Sequence, residues 1–440
     1  MLRRFLKDGM LYGLSGTVSK ALALLIVPLY TRWLRPEDFG ALDLLAVVGT
    51  LASFIVSLGI TQGLARFFAQ SPSPIAKKAL ASSGFWFTVA STVVCLLAVQ
   101  IWARPLADLL LGEGWERTFR IATASFATTA IFYYFQNQLR WSLKAKQFAA
   151  VSVLNVIVKL GLAVWFVVGL LLGVEGIFIA TIIADLLASV FAWWCCRDMY
   201  GLLLSLPRLK MMLAFSVPLV PNSIAAFLAS FLDRIMIKQF LDLEEVGIYA
   251  VGARVAGAVG LVLGGFQTAV LPLVYQRLKQ PDTPQQLVRI FRHFLAWCLG
   301  IIILIGAFSR EITTLMGPPK YAPASMVMAI LSGAVLMTGM KVFAPGISIS
   351  RKTGWYFVGN VLALVVNFAL NWWWIPRMGI FGAALATFCS AAVGLVVTAA
   401  ISQRFYAIPH IWWRAIGVSA LVAVALWGKE AFFPEGVSVA

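Results

Sequence analysis

Eight ionisable side chains stand where the chain is otherwise apolar: Lys20, Lys159, Arg234, Arg254 and Lys341 among the bases, Asp43, Asp185 and Asp233 among the acids. A charge at the centre of a bilayer costs on the order of 2.5–3.5 kcal/mol on insertion scales, so each needs a cavity or a partner. Lys20 sits mid-run beside Ser15, Gly16, Thr17 and Ser19, too deep to reach an interface by stretching, and reads as lining water. Arg254 lies two turns beyond Gly247, on a face with Ala250, Gly257 and Leu261, and reads the same way. Asp233 and Arg234 are adjacent, and adjacent residues on a helix do not face each other, so one is expected inward and the other at the interface. Lys159 and Asp185 lie in the middle of successive runs, where they can neutralise each other as a structural pair. Lys341 is placed near the inner end of its run, where snorkelling suffices, and Asp43 one turn from the end of its own, where headgroup exposure suffices. Bases exceed acids by five to three. That surplus suits an anionic headgroup, above all a pyrophosphate held by charge-assisted hydrogen bonds. A cation antiporter wants the reverse, with carboxylates at depth. Lys20, Arg234 and Arg254 are therefore the headgroup candidates, and Asp43, Lys159, Asp185, Asp233 and Lys341 the secondary or ion-coupling ones.

The elements that must carry these groups are set by composition. The 440 residues are 61% hydrophobic and 12% charged, with mean hydropathy +0.89. A soluble surface needs about twice that charge, so the bilayer is the solvent. Apolar runs of helix-spanning length are expected near 10–31, 40–61, 80–102, 118–136, 149–172, 175–196, 213–236, 247–272, 292–309, 324–347, 354–375 and 380–401, with a thirteenth candidate near 411–427. Period-two alternation is missing, so the spans are helices rather than barrel strands. The net charge of +17 concentrates in alternate connections, which makes it a topology signal with the amino terminus cytoplasmic and not a nucleic-acid footprint. Met1 to Lys7 resembles a signal-peptide start, but the run behind it is too long, so it is kept as the first span. Five cysteines lie within or beside spans and there are only two histidines, which speaks against a metal site or cofactor. With no phosphate-binding glycine loop and no long extramembrane segment, the reading is of a protein that is not an enzyme.

Three echoes recur about 206 residues apart. Gly173-Val174-Glu175-Gly176 through Thr181 returns as Gly379-Ile380-Phe381-Gly382 through Thr387, Leu34 through Gly40 returns as Leu241 through Gly247, and Asn155-Val156 returns as Asn360-Val361. Echoes in one order at near-constant offset imply two homologous six-helix lobes, 1–205 and 206–405, followed by an extension over 406–440. Paired halves in membrane proteins flank a substrate path and rock about it.

The chain resembles the Wzx-type and related lipid-linked oligosaccharide flippases of the multidrug/oligosaccharidyl-lipid/polysaccharide exporter superfamily. The resemblance rests on Pro28 through Gly40, on Gly63-Leu64-Ala65-Arg66-Phe67-Phe68, on Pro218, Pro221 and Asp233-Arg234, and on Gly379 through Thr387. It covers residues 1–405 and implies an all-α polytopic fold, with two six-helix lobes in a V around a central cavity lined by the first, second, seventh and eighth spans. It further implies that cavity bases hold the pyrophosphate of an undecaprenyl-linked sugar; the matching positions are Lys20, Arg66, Arg234 and Arg254. The expected function is flipping such a precursor to the outer leaflet of the bacterial cytoplasmic membrane for surface polysaccharide synthesis. Its expected partners are the lipid-linked oligosaccharide, membrane lipids and other polysaccharide-assembly proteins. A proton- or sodium-coupled multidrug or metabolite antiporter is the alternative, and a membrane scaffold of a polysaccharide-synthesis complex the third reading.

Overall fold

The computed structural model describes residues 24, 26–71, 73–201, 203–277, 283–350, 352, 354–408 and 417. Lys20, most of the first expected span and the candidate span near 411–427 lie outside them. The described residues are helical, with no strand among them. In chain order the helices are α1 (Val27–Trp33), α2 (Pro36–Ser57), α3 (Ile60–Gln70), α4 (Pro74–Ile101), α5 (Ala103–Leu110), α6 (Glu116–Trp141), α7 (Ala145–Val164) and α8 (Gly173–Cys196). They continue with α9 (Leu206–Ser216), α10 (Val220–Phe240), α11 (Leu243–Arg277), α12 (Thr283–Ala307), α13 (Ser309–Met316), α14 (Ser325–Met340), α15 (Gly346–Ile349) and α16 (Gly354–Phe405).

Nine helical segments among the described residues are long and apolar enough to cross a membrane. They account for ten of the twelve expected spans, because α16 holds two, separated at Gly379 (φ 60°, ψ −143°) just after Pro376. The span expected at 118–136 is helical in α6 but does not reach the same apolarity. Its polar groups are spent inside the protein: Gln136 donates to Ser152 at 2.8 Å, and Thr129 to Asp185. Gly173, at the head of α8, also has a left-handed backbone (φ 55°), which glycine adopts without a Cβ clash.

The acids of the Leu34–Gly40 and Leu241–Gly247 echoes cap helix starts. Asp38 accepts the Arg35 backbone N–H at 3.1 Å, and Asp242 accepts that of Glu245 at 2.9 Å. Acidic side chains in a first turn also complement the helix dipole. Arg35 is held above the usual guanidinium range, first by its hydrogen bond to Asp38 and then by the Asp38 and Glu37 charges.

The chain forms two compact units, one of Met1–Ile26 with Ala41–Ile224, the other of Val27–Gly40 with Ala225–Ala440. In the first, α8 turns Ala180, Ala184, Ala188 and Ala192, all fully buried, along one face. Small side chains at every fourth position let neighbouring helices approach closely. Phe132, Phe135 and Leu139 of α6 and Val151 of α7 pack with Ala188, Ala192 and Cys196 of this stripe. Helix α9 belongs here too, through Met212 against Ile60, Leu64 and Phe68 of α3. In the second unit α14 is buried along nearly its whole length, and α11 and α16 pack around it. There the two copies of an echo meet: a Cβ on Gly40 would strike the carbonyl oxygen of Leu243, and one on Gly247 that of Pro36.

Candidate functional site: charged clusters inside each unit

In the first unit, α6, α7 and α8 converge on Asp185, which is fully buried. Asn155 and Lys159, one turn apart on α7, share a face. The Asn155 amide donates to Asp185 at 2.7 Å, the Lys159 ammonium lies 3.3 Å away, and the Thr129 hydroxyl donates from α6. This is the structural pair expected from the sequence. An Asp185→Asn background should therefore reduce the cost of Lys159→Met, with a coupling of about 0.5–3 kcal/mol in a double-mutant cycle on thermal unfolding. Asp43 is half-buried in the same unit.

In the second unit the centre is Asp233 on α10, 1% exposed. Its carboxylate accepts from Arg234 Nη1 at 2.7 Å, from the Thr387 hydroxyl at 3.0 Å and from the Tyr249 hydroxyl. The expectation that one of Asp233 and Arg234 faces inward and the other the interface fails: both are buried. Their Cβ atoms diverge, but the arginine arm is long enough to fold back, and Phe231 and Tyr249 rings flank its guanidinium at 4.9 and 5.1 Å. The network runs on through Asn367, which donates to Ser390 at 3.2 Å and accepts from Asn371 at 2.9 Å. The Asn371 carbonyl oxygen is buried without a hydrogen-bond partner among the described residues.

The headgroup candidates are placed separately. Arg66, exposed on α3 in the first unit, lies over the Phe215 ring at 4.4 Å. Arg254, half-buried on α11 in the second, lies over Phe39 at 4.4 Å. Arg234 is engaged by Asp233. The Lys341 ammonium lies against Gly394 of α16. Among the described residues no group of His, Cys, Asp and Glu side chains could hold a metal ion.

Sequence reasoning passed over Thr129, Asn155, Tyr249, Thr387 and Asn371 as members of these clusters. Asn155 and Thr387 stand within echoed segments, and repetition was the signal available for them. Gln136 bonds α7 through Ser152, and Asn137 its own helix at Tyr133.

Apolar crossing helices in two units, with charges matched at depth, define a multi-pass membrane protein of the transporter class. Residues 29–308 match the polysaccharide biosynthesis protein family, and the chain belongs to it. Its fold is shared with solved membrane transporters. It superimposes on an inward-facing multidrug resistance MATE transporter with TM-score 0.73 at 15% identity, over 89% of this chain and 96% of that one. The inward closed lipid II flippase MurJ gives 0.72 at 12% identity, over 97% and 99%. In sequence the chain is 22% identical over 403 residues to the succinoglycan biosynthesis transport protein ExoT of Rhizobium meliloti, covering 87% of this chain and 73% of the relative.

Proposed function

We propose that the protein flips an undecaprenyl-pyrophosphate-linked oligosaccharide from the cytoplasmic to the outer leaflet of a bacterial cytoplasmic membrane. The precursor feeds surface polysaccharide synthesis, and the amino terminus is cytoplasmic. The observation that carries this reading is the allocation of charge. Among the eight charges set in apolar runs bases exceed acids by five to three, and that excess suits a pyrophosphate. Arg66 and Arg254, each set over an aromatic ring, and Lys20 are the headgroup-binding residues of this proposal. Binding neutralises them and shifts the population towards the outward-open state, while the polyprenyl chain stays in lipid.

The relatives are consistent with this chemistry: MurJ is named a lipid II flippase and ExoT a transport protein of succinoglycan biosynthesis. A cation-coupled reading has one observation of its own, the Asp233, Thr387 and Asn371 oxygens gathered in the second unit, with the Asn371 oxygen unsatisfied. The deciding experiment follows a fluorescent undecaprenyl-pyrophosphate oligosaccharide across proteoliposomes. Arg66→Ala and Arg254→Ala should each slow it about tenfold or more, the worth of a charge-assisted hydrogen bond. Full-rate movement in both variants would remove these residues from the site. No movement in wild type, with organic-cation uptake under a proton or sodium gradient instead, would overturn the flippase reading.

A further inference from the structure

Lys341 carries a charge for which the described residues supply no counterpart. It follows α14, and its Nζ lies 3.1 Å from where a Cβ on Gly394 would stand, beside Ala363. Gly394 is near the middle of the second arm of α16, about 16 Å from its end at Phe405 at 1.5 Å per residue. In a hydrocarbon core of about 30 Å that is interior depth. The Lys341 ammonium forms no hydrogen bond or ion pair among the described residues. Yet its nitrogen is not among the sealed, unpartnered atoms and its side chain is only half-buried, so the ammonium can be reached. From Ile312 to Lys429 the sequence contains no aspartate or glutamate at all, against eight lysines and arginines. The helices that enclose Lys341 within this stretch, α14 and α16, therefore offer it no carboxylate.

An ammonium at that depth needs an anion. The anion a bilayer brings to such a place is a phosphate, and a lysine binds phosphate as a compact point charge. We propose that Lys341 is a phosphate-binding residue of the second unit, its ligand the phosphate of a membrane lipid, either the isoprenoid-linked pyrophosphate or an anionic phospholipid headgroup. The first source rests on the flippase reading; the second does not. Gly394 belongs to the site because a Cβ there would crowd the ammonium at 3.1 Å and Ala363 at 3.2 Å, so the branched side chain of Gly394→Val should displace the ammonium without altering charge.

The test uses the full chain in phosphatidylcholine nanodiscs, with sugar-free undecaprenyl pyrophosphate or phosphatidylglycerol as probe. Acetylation of Lys341 is followed by mass spectrometry, and probe affinity is measured for wild type, Lys341→Gln, Lys341→Arg and Gly394→Val. A phosphate ligand should slow acetylation of Lys341 and bind about tenfold more weakly to the glutamine and valine variants, with affinity kept by the arginine variant. Protection by undecaprenyl pyrophosphate alone assigns the translocated lipid as source. Protection by phosphatidylglycerol alone assigns the bulk membrane, and retains the site while counting against the flippase reading. If undecaprenyl pyrophosphate binds wild type and Lys341→Gln alike with Lys341 unprotected, the inference falls and the flippase reading stands. If neither probe protects Lys341 or binds wild type, the inference is likewise overturned, and the flippase reading with it.

Discussion

Replacing Asp233 by alanine is expected to destabilise the second unit by about 3–5 kcal/mol, the cost of leaving a buried charge without its partner. Arg234 is 7% exposed, so its guanidinium cannot regain water by rotating out. The Tyr249 and Thr387 hydroxyls lose their acceptor in the same step, and each stranded donor adds about 1–3 kcal/mol where it finds no substitute. Asp233→Asn should cost less, because the amide oxygen still accepts while only the charge is lost. The companion result identifies the mechanism: Asp233→Ala with Arg234→Leu should recover a large part of the loss, since removing both members of a buried pair is far cheaper than removing one. Thermal unfolding followed by size-exclusion of the purified protein reads all four forms. A double variant no better than Asp233→Ala would mean that the hydroxyl network, and not the ion pair, holds α10 to α11 and α16.

Gly247→Leu should be comparably damaging, by steric means. The atoms facing the new side chain are the Pro36 carbonyl and the Gly40 amide nitrogen, which belong to backbone and cannot swing aside. The contact is reciprocal, since Gly40 faces the Leu243 carbonyl in the same way and both pairs share one offset of about 207 residues. Even alanine needs the two helix starts to part. Overpacking typically costs about 1–3 kcal/mol, and leucine should reach the upper end. By contrast Gly257→Ala, on the same helix with open space around it, should leave the melting temperature unchanged or raise it, as helix propensity favours alanine by about 1 kcal/mol. Equal melting curves for Gly247→Leu and Gly257→Ala would mean that the crossing is looser than drawn.

Much of this was legible because a bilayer constrains a sequence strongly. Apolar runs marked the helices, and the Lys159–Asp185 pair followed from two opposite charges at mid-span in consecutive helices. Other features were hidden for definite reasons. The rule that adjacent helix residues point apart concerns Cβ directions, and Arg234 has an arm long enough to defeat it. Lys341 was placed by its position along its own run, which does not show that its ammonium lies against Gly394 of α16. Helix α6 was legible over 118–136, but not that its Thr129 and Gln136 find partners on α8 and α7.

The glycines that open the Gly173 and Gly379 echoes both have a positive φ, and Gly40 and Gly247 share one pinch point. The charged clusters share no such correspondence: one pairs Lys159 with Asp185 across two helices, the other Asp233 with its own neighbour. Self-similarity within this chain thus records backbone joints, and of the charged clusters it marks only Asn155 and Thr387. A comparison of one half against the other will find the joints of the molecule. Its substrate preference has to be sought in the positions where the halves disagree.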